Sequence, residues 1–392
     1  MKIPREEFSE RISRIRREME KEDIDAVLVY GDEYRREYIR YVSNYWPIFE
    51  RAMLVIPKDG DPILLGAPEC EKVAREMSAW PDIRNIKDFT CVTVPDEIDY
   101  SLAEFSSFSS VYREVNSRSQ LKRVGLVGVN AIPAPVLESI KSAFEGVEIV
   151  NFESVLNRMR LIKTPQEIKC LRKAAEFADK GFQALMEACV PGASELAAAA
   201  AGEYGARKAG AEYVPFVVFG SGERTHTIVG RPTEKIIEDG DMIMAALAVQ
   251  FEGYIASAEF PFVAGRMSKG QKDLINALIV AEDRALNLLK AGTPAREFVR
   301  KVRQYFRDNN LSQYDVYPPL HGCGYAEAES PYPDENSELV FEENMTVNTD
   351  ISLFGHPAGS NRIEEGFVIT KEGPEPMSKL VRKLCSEWLS RG

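Results

Sequence analysis

The sequence predicts two domains of unequal type: an α/β layered part over residues 1–155 and an α+β part over residues 156–392, with helices on one face of a mostly antiparallel sheet. Three observations carry this expectation. Apolar strand-like runs alternate with helical periodicity through the first part, the texture changes around residue 155, and beyond it long amphipathic helices are interleaved with strand patterns, two of which meet at a tight turn.

In the first part, a charged amphipathic helix is predicted near residues 5–21, a strand at Ala26-Val-Leu-Val-Tyr30, strands near 52–56 and 62–66, and a helix after Pro68. Val124-Gly-Leu-Val-Gly128 reads as a buried strand and Ala134 to Phe144 as a helix. Thr164-Pro165-Gln166-Glu167 opens the second part with an N-cap threonine, a proline in the first turn and a glutamate placed to close a capping box, and the helix runs to about Ala188. Similar starts are expected at Ser194, Ser268 and Thr293, and the alanines after Leu196 favour helix. Strand patterns fall at 214–219, 242–251, 254–263, 345–353 and 366–370.

Bulk properties narrow the function. With 61 acids against 49 lysines and arginines, the net charge is −12, and no dense basic block is present, so nucleic acid is not an expected partner. No apolar run approaches the roughly 18 residues a membrane span needs, and the charged first 25 residues do not resemble a signal core, so a cytoplasmic protein is expected. The six cysteines, Cys70, Cys91, Cys170, Cys189, Cys323 and Cys385, form no C-x-x-C pair and read mostly as small buried hydrophobes.

The segment from Met242 to Phe262 reads as a hairpin turning at Glu252-Gly253, which pairs Phe251 with Tyr254, Ala248 with Ser257 and Ala246 with Glu259. Side-chain alternation then puts Ala246, Ala248, Ser257 and Glu259 on one face. The chain has only three histidines, His226, His321 and His356. His321, in His-Gly-Cys-Gly at the end of an apolar run, is the best placed to face a pocket, whereas His356 reads as a surface loop residue and Cys323 as structural. Asp350 interrupts a strand pattern, Glu364 precedes one, and the acids Glu327, Glu329, Asp334 and Glu335 read as a solvated loop face.

Arg160-Leu-Ile-Lys163-Thr-Pro-Gln-Glu, Gly240-Asp241, Gly253-Tyr254, His321-Gly-Cys-Gly324, Asn344-Met345 and Arg362-Ile-Glu364-Glu365-Gly, in that order, resemble the pita-bread family of Xaa-Pro aminopeptidases, prolidases, methionine aminopeptidases and creatinase. The resemblance implies a pita-bread carboxy-terminal domain preceded by a smaller creatinase-type α/β domain. In the metallopeptidase members, five side chains hold two ions; the matching positions here are Ala246, Ser257, His321, Asp350 and Glu364. Alanine cannot ligate and serine does so poorly, so no dinuclear site is expected, nor any cofactor, with a single weakly held ion on His321, Asp350 and Glu364 as the remaining metal reading.

The site pattern is similar to creatinase, which works without metal and carries a glutamate where Glu259 stands. Phe49-Glu-Arg51 resembles the pair by which creatinase's amino-terminal domain reaches the neighbouring subunit's site, implying a homodimer. A family histidine falls at Val229, three residues after His226, and another at Ala328.

The leading expectation is therefore a metal-independent hydrolase of a C–N bond in a small amide or guanidino compound. Glu259 and Asp350 would hold the substrate's donor groups, Glu364 would stand at the position of a later creatinase histidine, and Arg51 would clamp a carboxylate. Phe49 would accompany Arg51, Arg362 would position an acid or the substrate, and His321 or His226 would move the proton. A non-catalytic small-molecule-binding descendant and a genuine Xaa-Pro aminopeptidase or prolidase are the alternatives.

Overall fold

The structure, a computed structural model, describes residues 2–90, 100, 101 and 103–390. Cys91 lies outside them, and Cys70, Cys170, Cys189, Cys323 and Cys385 are buried. The chain divides into two compact units, Lys2–Met159 and Arg160–Gly392.

In the first unit, the strand Ala26–Gly31 is buried at every position, as a strand covered on both faces must be. It lies inside a seven-stranded mixed sheet, antiparallel to Ala52–Pro57 and parallel to Arg123–Val127. The helix Arg5–Lys21 turns Phe8, Ile12, Ile15 and Met19 inward at helical spacing.

In the second unit, an antiparallel sheet runs from neighbour to neighbour through Phe262–Val263, Met242–Phe251, Tyr254–Glu259, Asn361–Ile369, Thr346–Leu353 and Leu320–Gly322. The strand Tyr213–Ser221 adds to Met242–Phe251, and Pro374–Pro376 to Asn361–Ile369. The hairpin turn forms because Glu252 and Gly253 both take positive φ, +50° and +87°, the geometry of a two-residue turn between twisted strands. The register is the expected one: Phe251 opposite Tyr254, Ala248 opposite Ser257, Ala246 opposite Glu259.

Alternation splits the sheet into two faces. Ala245, Leu247, Val249, Val347, Ile351, Ile363 and Phe367 join one apolar core with the helices Pro165–Ala188 and Lys269–Ala285. Their polar neighbours in sequence face the other way. The Thr164 capping box is present, with Glu167 closing it. Helices Pro165–Ala188 and Glu195–Ala209 approach closely through glycine, since a Cβ on Gly181 would lie 2.9 Å from both the Gly202 carbonyl oxygen and the Ala206 Cβ.

Three local expectations are corrected. The strand predicted at 366–370 is Asn361–Ile369, so Glu364 sits inside it; polar side chains facing a cavity had hidden its first half from an apolar pattern. The strand predicted over 254–263 breaks after Glu259 at Phe260-Pro261, because proline cannot donate to the ladder. Finally, the N-cap of Ala295–Asp308 is Pro294 rather than Thr293, with no side-chain cap bond.

Candidate functional site

Sheet register builds the site. Ala246 lies opposite Glu259, Glu259 opposite Glu364, and Glu364 opposite Asp350, so four strands contribute one row of side chains on the face away from the helical core. Arg362, two residues before Glu364, shares that face. His321 stands opposite Asn348 on the last strand. A cavity of about 260 Å³ opens here, floored by His321, Glu327, Asp350, Arg362 and Glu364, with Phe216, Val229, Tyr317 and Tyr332 among its apolar walls.

Arg362 is the central cation. Its Nε lies 2.9 Å from a Glu259 oxygen and its Nη1 3.4 Å from Asp350 Oδ2. The Glu259 contact is an ion pair out of line for a hydrogen bond, so both oxygens of this fully buried carboxyl lack a hydrogen-bond partner, as does Asp350 Oδ1.

Glu364 is held differently: Ser257 Oγ donates to it at 2.5 Å and Asn348 Nδ2 at 2.9 Å. Asn348 Nδ2 also lies 3.3 Å from Glu327. His321 Nδ1 sits 2.9 Å from the Gly322 carbonyl, its Nε2 is 3.7 Å from Glu327 and 3.9 Å from Glu364, and its ring stacks on Tyr332.

Crowding acids out of water raises their pKa values. Burial pushes Glu259 up to about 8 against the pull of Arg362, with Glu364 and Asp350 adding to the rise. Burial likewise lifts Asp350 to about 6 and, with the Glu327 charge, Glu364 to about 7. Glu327 is raised as well, by burial first. Ionised together, these acids exceed the Arg362 charge, and only bound protons or an added cation can balance them.

A pair of metal ions does not fit these residues. Ala246 has no ligand atom, the Ser257 hydroxyl is committed to Glu364, and the Arg362 guanidinium already lies against Glu259 and Asp350.

Other predicted site residues lie elsewhere. His226 is in a 3-10 turn, bonded through Nδ1 to Ser360 Oγ at 2.7 Å, and lines a different cavity with Glu223 and Asp241, while Val229 lines the one described above. In the first unit, Phe49 is 68% exposed with φ +64°, and Arg51 Nη1 donates to the Thr90 carbonyl at 3.1 Å. Cys323 is fully buried, and that burial pushes its thiol up to about 12, which suits a structural residue and not a nucleophile. His356 is half-buried, accepting from the Ala358 amide, and its pKa is lowered by burial.

Of the four acids expected to form a solvated loop face, Asp334 is exposed and Glu335 half-buried, but Glu327 and Glu329 are not on that face. Glu327 turns into the cavity, and Glu329 is buried between Arg160 and Lys163, which outweigh the cost of burial and hold its pKa below the usual value. No local pattern marks Glu327; it reaches the floor because Gly322 bridges to Glu329 and folds the loop back.

A mixed α/β unit preceding, in the chain, an antiparallel sheet with helices on one face and an acidic cavity on the other is the pita-bread architecture with its amino-terminal companion. Residues 169–371 match Metallopeptidase family M24 and residues 11–162 the Creatinase/Prolidase N-terminal domain, and the chain belongs to family M24. It is similar to the Xaa-Pro dipeptidase of Pyrococcus horikoshii, 26% identical over 379 residues that cover 96% of this chain and 99% of that protein. The Xaa-Pro dipeptidase of Pyrococcus furiosus is also 26% identical, covering 96% of this chain and all of its own length (100%). Among solved structures, the prolidase from Pyrococcus horikoshii superposes with a TM-score of 0.80 at 26% identity, covering 94% of this chain and 98% of that one.

These similarities overturn the leading expectation of a metal-independent, creatinase-like C–N hydrolase. The whole-chain relatives are Xaa-Pro dipeptidases and the family is one of metallopeptidases. Loss of ligands at Ala246 and Ser257 excludes a particular pair of ions; it does not identify a substrate.

Proposed function

We propose that this chain acts on small peptides of the Xaa-Pro kind, bound in the cavity between the Phe216 and Tyr332 walls and the Glu327, Asp350 and Glu364 floor. One observation carries this: a cavity of about 260 Å³ that pairs apolar walls with an acidic floor, in a chain aligned end to end with Xaa-Pro dipeptidases. The acids suit a peptide's ammonium group, and Phe216, Val229 and Tyr317 suit an apolar ring. Arg362, pinned by Glu259 and Asp350, keeps that part of the floor from collapsing into like-charge repulsion. Hydrolysis of the peptide bond is the activity the relatives' names support.

A second reading, binding without turnover, is favoured by Ala246 and Ser257, where the resemblance places two ligating acids. Phe49, exposed on the first unit, supports a homodimer in which it and Arg51 reach the partner's cavity. The widely scattered cysteines, without a C-x-x-C pair, suit a cytoplasmic setting, and no helix among the described residues is long and apolar enough to cross a membrane.

Proline release from a panel of Xaa-Pro dipeptides, with Mn²⁺, Co²⁺ or Zn²⁺ supplied, tests the first reading, alongside calorimetric binding of the same peptides and light scattering of the same preparation. Proline release is the expected result, from a dimer. Binding without release transfers support to the second reading. If the peptides neither bind nor react, small-peptide recognition is wrong, and a strict monomer removes the role of Phe49 and Arg51.

A further inference from the structure

We propose that the cavity holds one divalent transition-metal ion rather than two, ligated by His321 Nε2, Glu327 and Glu364, with the Arg362 guanidinium standing where a second cation would be. The location rests on the same cavity as the proposed function, but the ion count does not depend on which substrate is turned over.

The tautomer of His321 is the first argument. A carbonyl oxygen only accepts, so the contact of Nδ1 with the Gly322 carbonyl at 2.9 Å places the proton of a neutral ring on Nδ1. The Nε2 lone pair then faces carboxylate oxygens of Glu327 at 3.7 Å and Glu364 at 3.9 Å. Three acceptors turned toward one another repel unless a proton or a cation sits among them. Their ligand atoms lie within 4.8 Å of one another, and the separations of 3.7 and 3.9 Å from Nε2 are ones that two bonds of about 2.0–2.2 Å to a single ion can span.

The surroundings are those of a ligand shell. Ser257 and Asn348 donate to Glu364 Oε1, and Asn348 also reaches Glu327 Oε1, the same oxygens that face His321 Nε2, so these contacts orient both carboxylates toward the imidazole. An independent observation points to the same place. Asp350, buried and lining the cavity, has Oδ1 with no hydrogen-bond partner, while its Oδ2 lies 3.4 Å from Arg362.

One ion, not two, follows from the other side of the row. Paired catalytic ions sit about 3.5–4 Å apart and share carboxylates. Here Ala246 supplies none, and a second ion near Glu259 and Asp350 would meet the guanidinium 2.9 Å from one and 3.4 Å from the other. Glu327 takes over part of the ligation lost at Ser257. One imidazole with carboxylates suits Mn²⁺, Zn²⁺ or Co²⁺ better than Mg²⁺ or Ca²⁺. Among the described residues, the other cluster with ligand spacing, Glu282, Glu365 and Cys385, already holds the Arg382 guanidinium 2.9 and 2.8 Å from its two acids.

The test uses Mn²⁺ and the full chain after chelator stripping. Calorimetry should give one ion per chain, and electron paramagnetic resonance of the loaded protein should show an isolated ion without exchange coupling. Glu327→Gln, close to isosteric, should weaken Mn²⁺ binding by about tenfold or more. Two ions per chain, a coupled spectrum, no Mn²⁺ binding, or undiminished binding by Glu327→Gln would each overturn the proposal. Because resonance is read on the parent protein, a poorly folding variant does not remove the test. Failure to cleave Xaa-Pro peptides with one Mn²⁺ bound would count against the proposed substrate and leave the ion count standing.

Discussion

Glu329 shows how a single side chain changes meaning between sequence and structure. In the sequence it belongs to a run of acids that resembles a wet loop; in the fold Arg160 and Lys163 close on it, with the lysine Nζ 2.9 Å away. Removing one member of a buried ion cluster leaves the others as uncompensated charges, at a cost of roughly 3–5 kcal/mol. Glu329→Gln should therefore lose about that much stability in urea denaturation, far more than a surface substitution. A loss below about 1 kcal/mol would mean that Arg160 and Lys163 find water or other partners. Glu259 carries the same lesson within the site: its strand, face and partner Ala246 were legible from alternation and the turn, but its ion pair with Arg362 was not.

At the scale of elements, the helix pair Pro165–Ala188 and Glu195–Ala209 sets how the sheet is covered. Glycine in a helix is usually improved by alanine, by about 0.5–1 kcal/mol. At Gly181 the sign should reverse, because the added Cβ would stand 2.4 Å from Leu247 Cδ2 and 2.9 Å from the Gly202 carbonyl. Overpacking of this kind costs about 1–3 kcal/mol. Gly181→Ala should lower the melting temperature, whereas a melting temperature equal to or above the parent's would mean that the helices part without strain. The alanine run in the second helix favours helix by propensity; burial of Ala198, Ala199 and, beyond the run, Ala206 adds a packing reason for small side chains. Capping signals at Thr164 and Ser268 were legible because they act over three residues.

Across the second unit, Glu282 ties a helix to both a strand and the carboxy-terminal helix. It accepts from Thr349 Oγ1 at 2.6 Å and from Arg382 at 2.9 Å, fully buried. Burial raises its pKa, although Arg382 pulls the other way. An acid whose folded pKa lies above its unfolded value stabilises the fold fully below the unfolded value, about 4.3, and that contribution is lost as pH rises through the folded one. The parent's melting temperature should therefore fall as pH climbs above the unfolded value of about 4.3, and Glu282→Gln should flatten this slope whatever it does to the absolute value. Equal slopes would show that the carboxyl does not change protonation between the folded and unfolded chain.

Taken alone, the sequence determined the two-part organisation, the hairpin with its register, the shared face of Ala246, Ser257 and Glu259, and the family likeness. All of these depend on local periods, turn chemistry or the order of short motifs. Only the tertiary structure decided that Glu327 enters the cavity, that Arg362 lies between Glu259 and Asp350, that Glu329 is buried, and that His226 faces another cavity. The physical reason is that desolvation and ion pairing depend on which distant segments return to the same place, here the loop after His321 and the strand Asn361–Ile369. A period of two residues says which face a side chain takes; it cannot say what charge waits there.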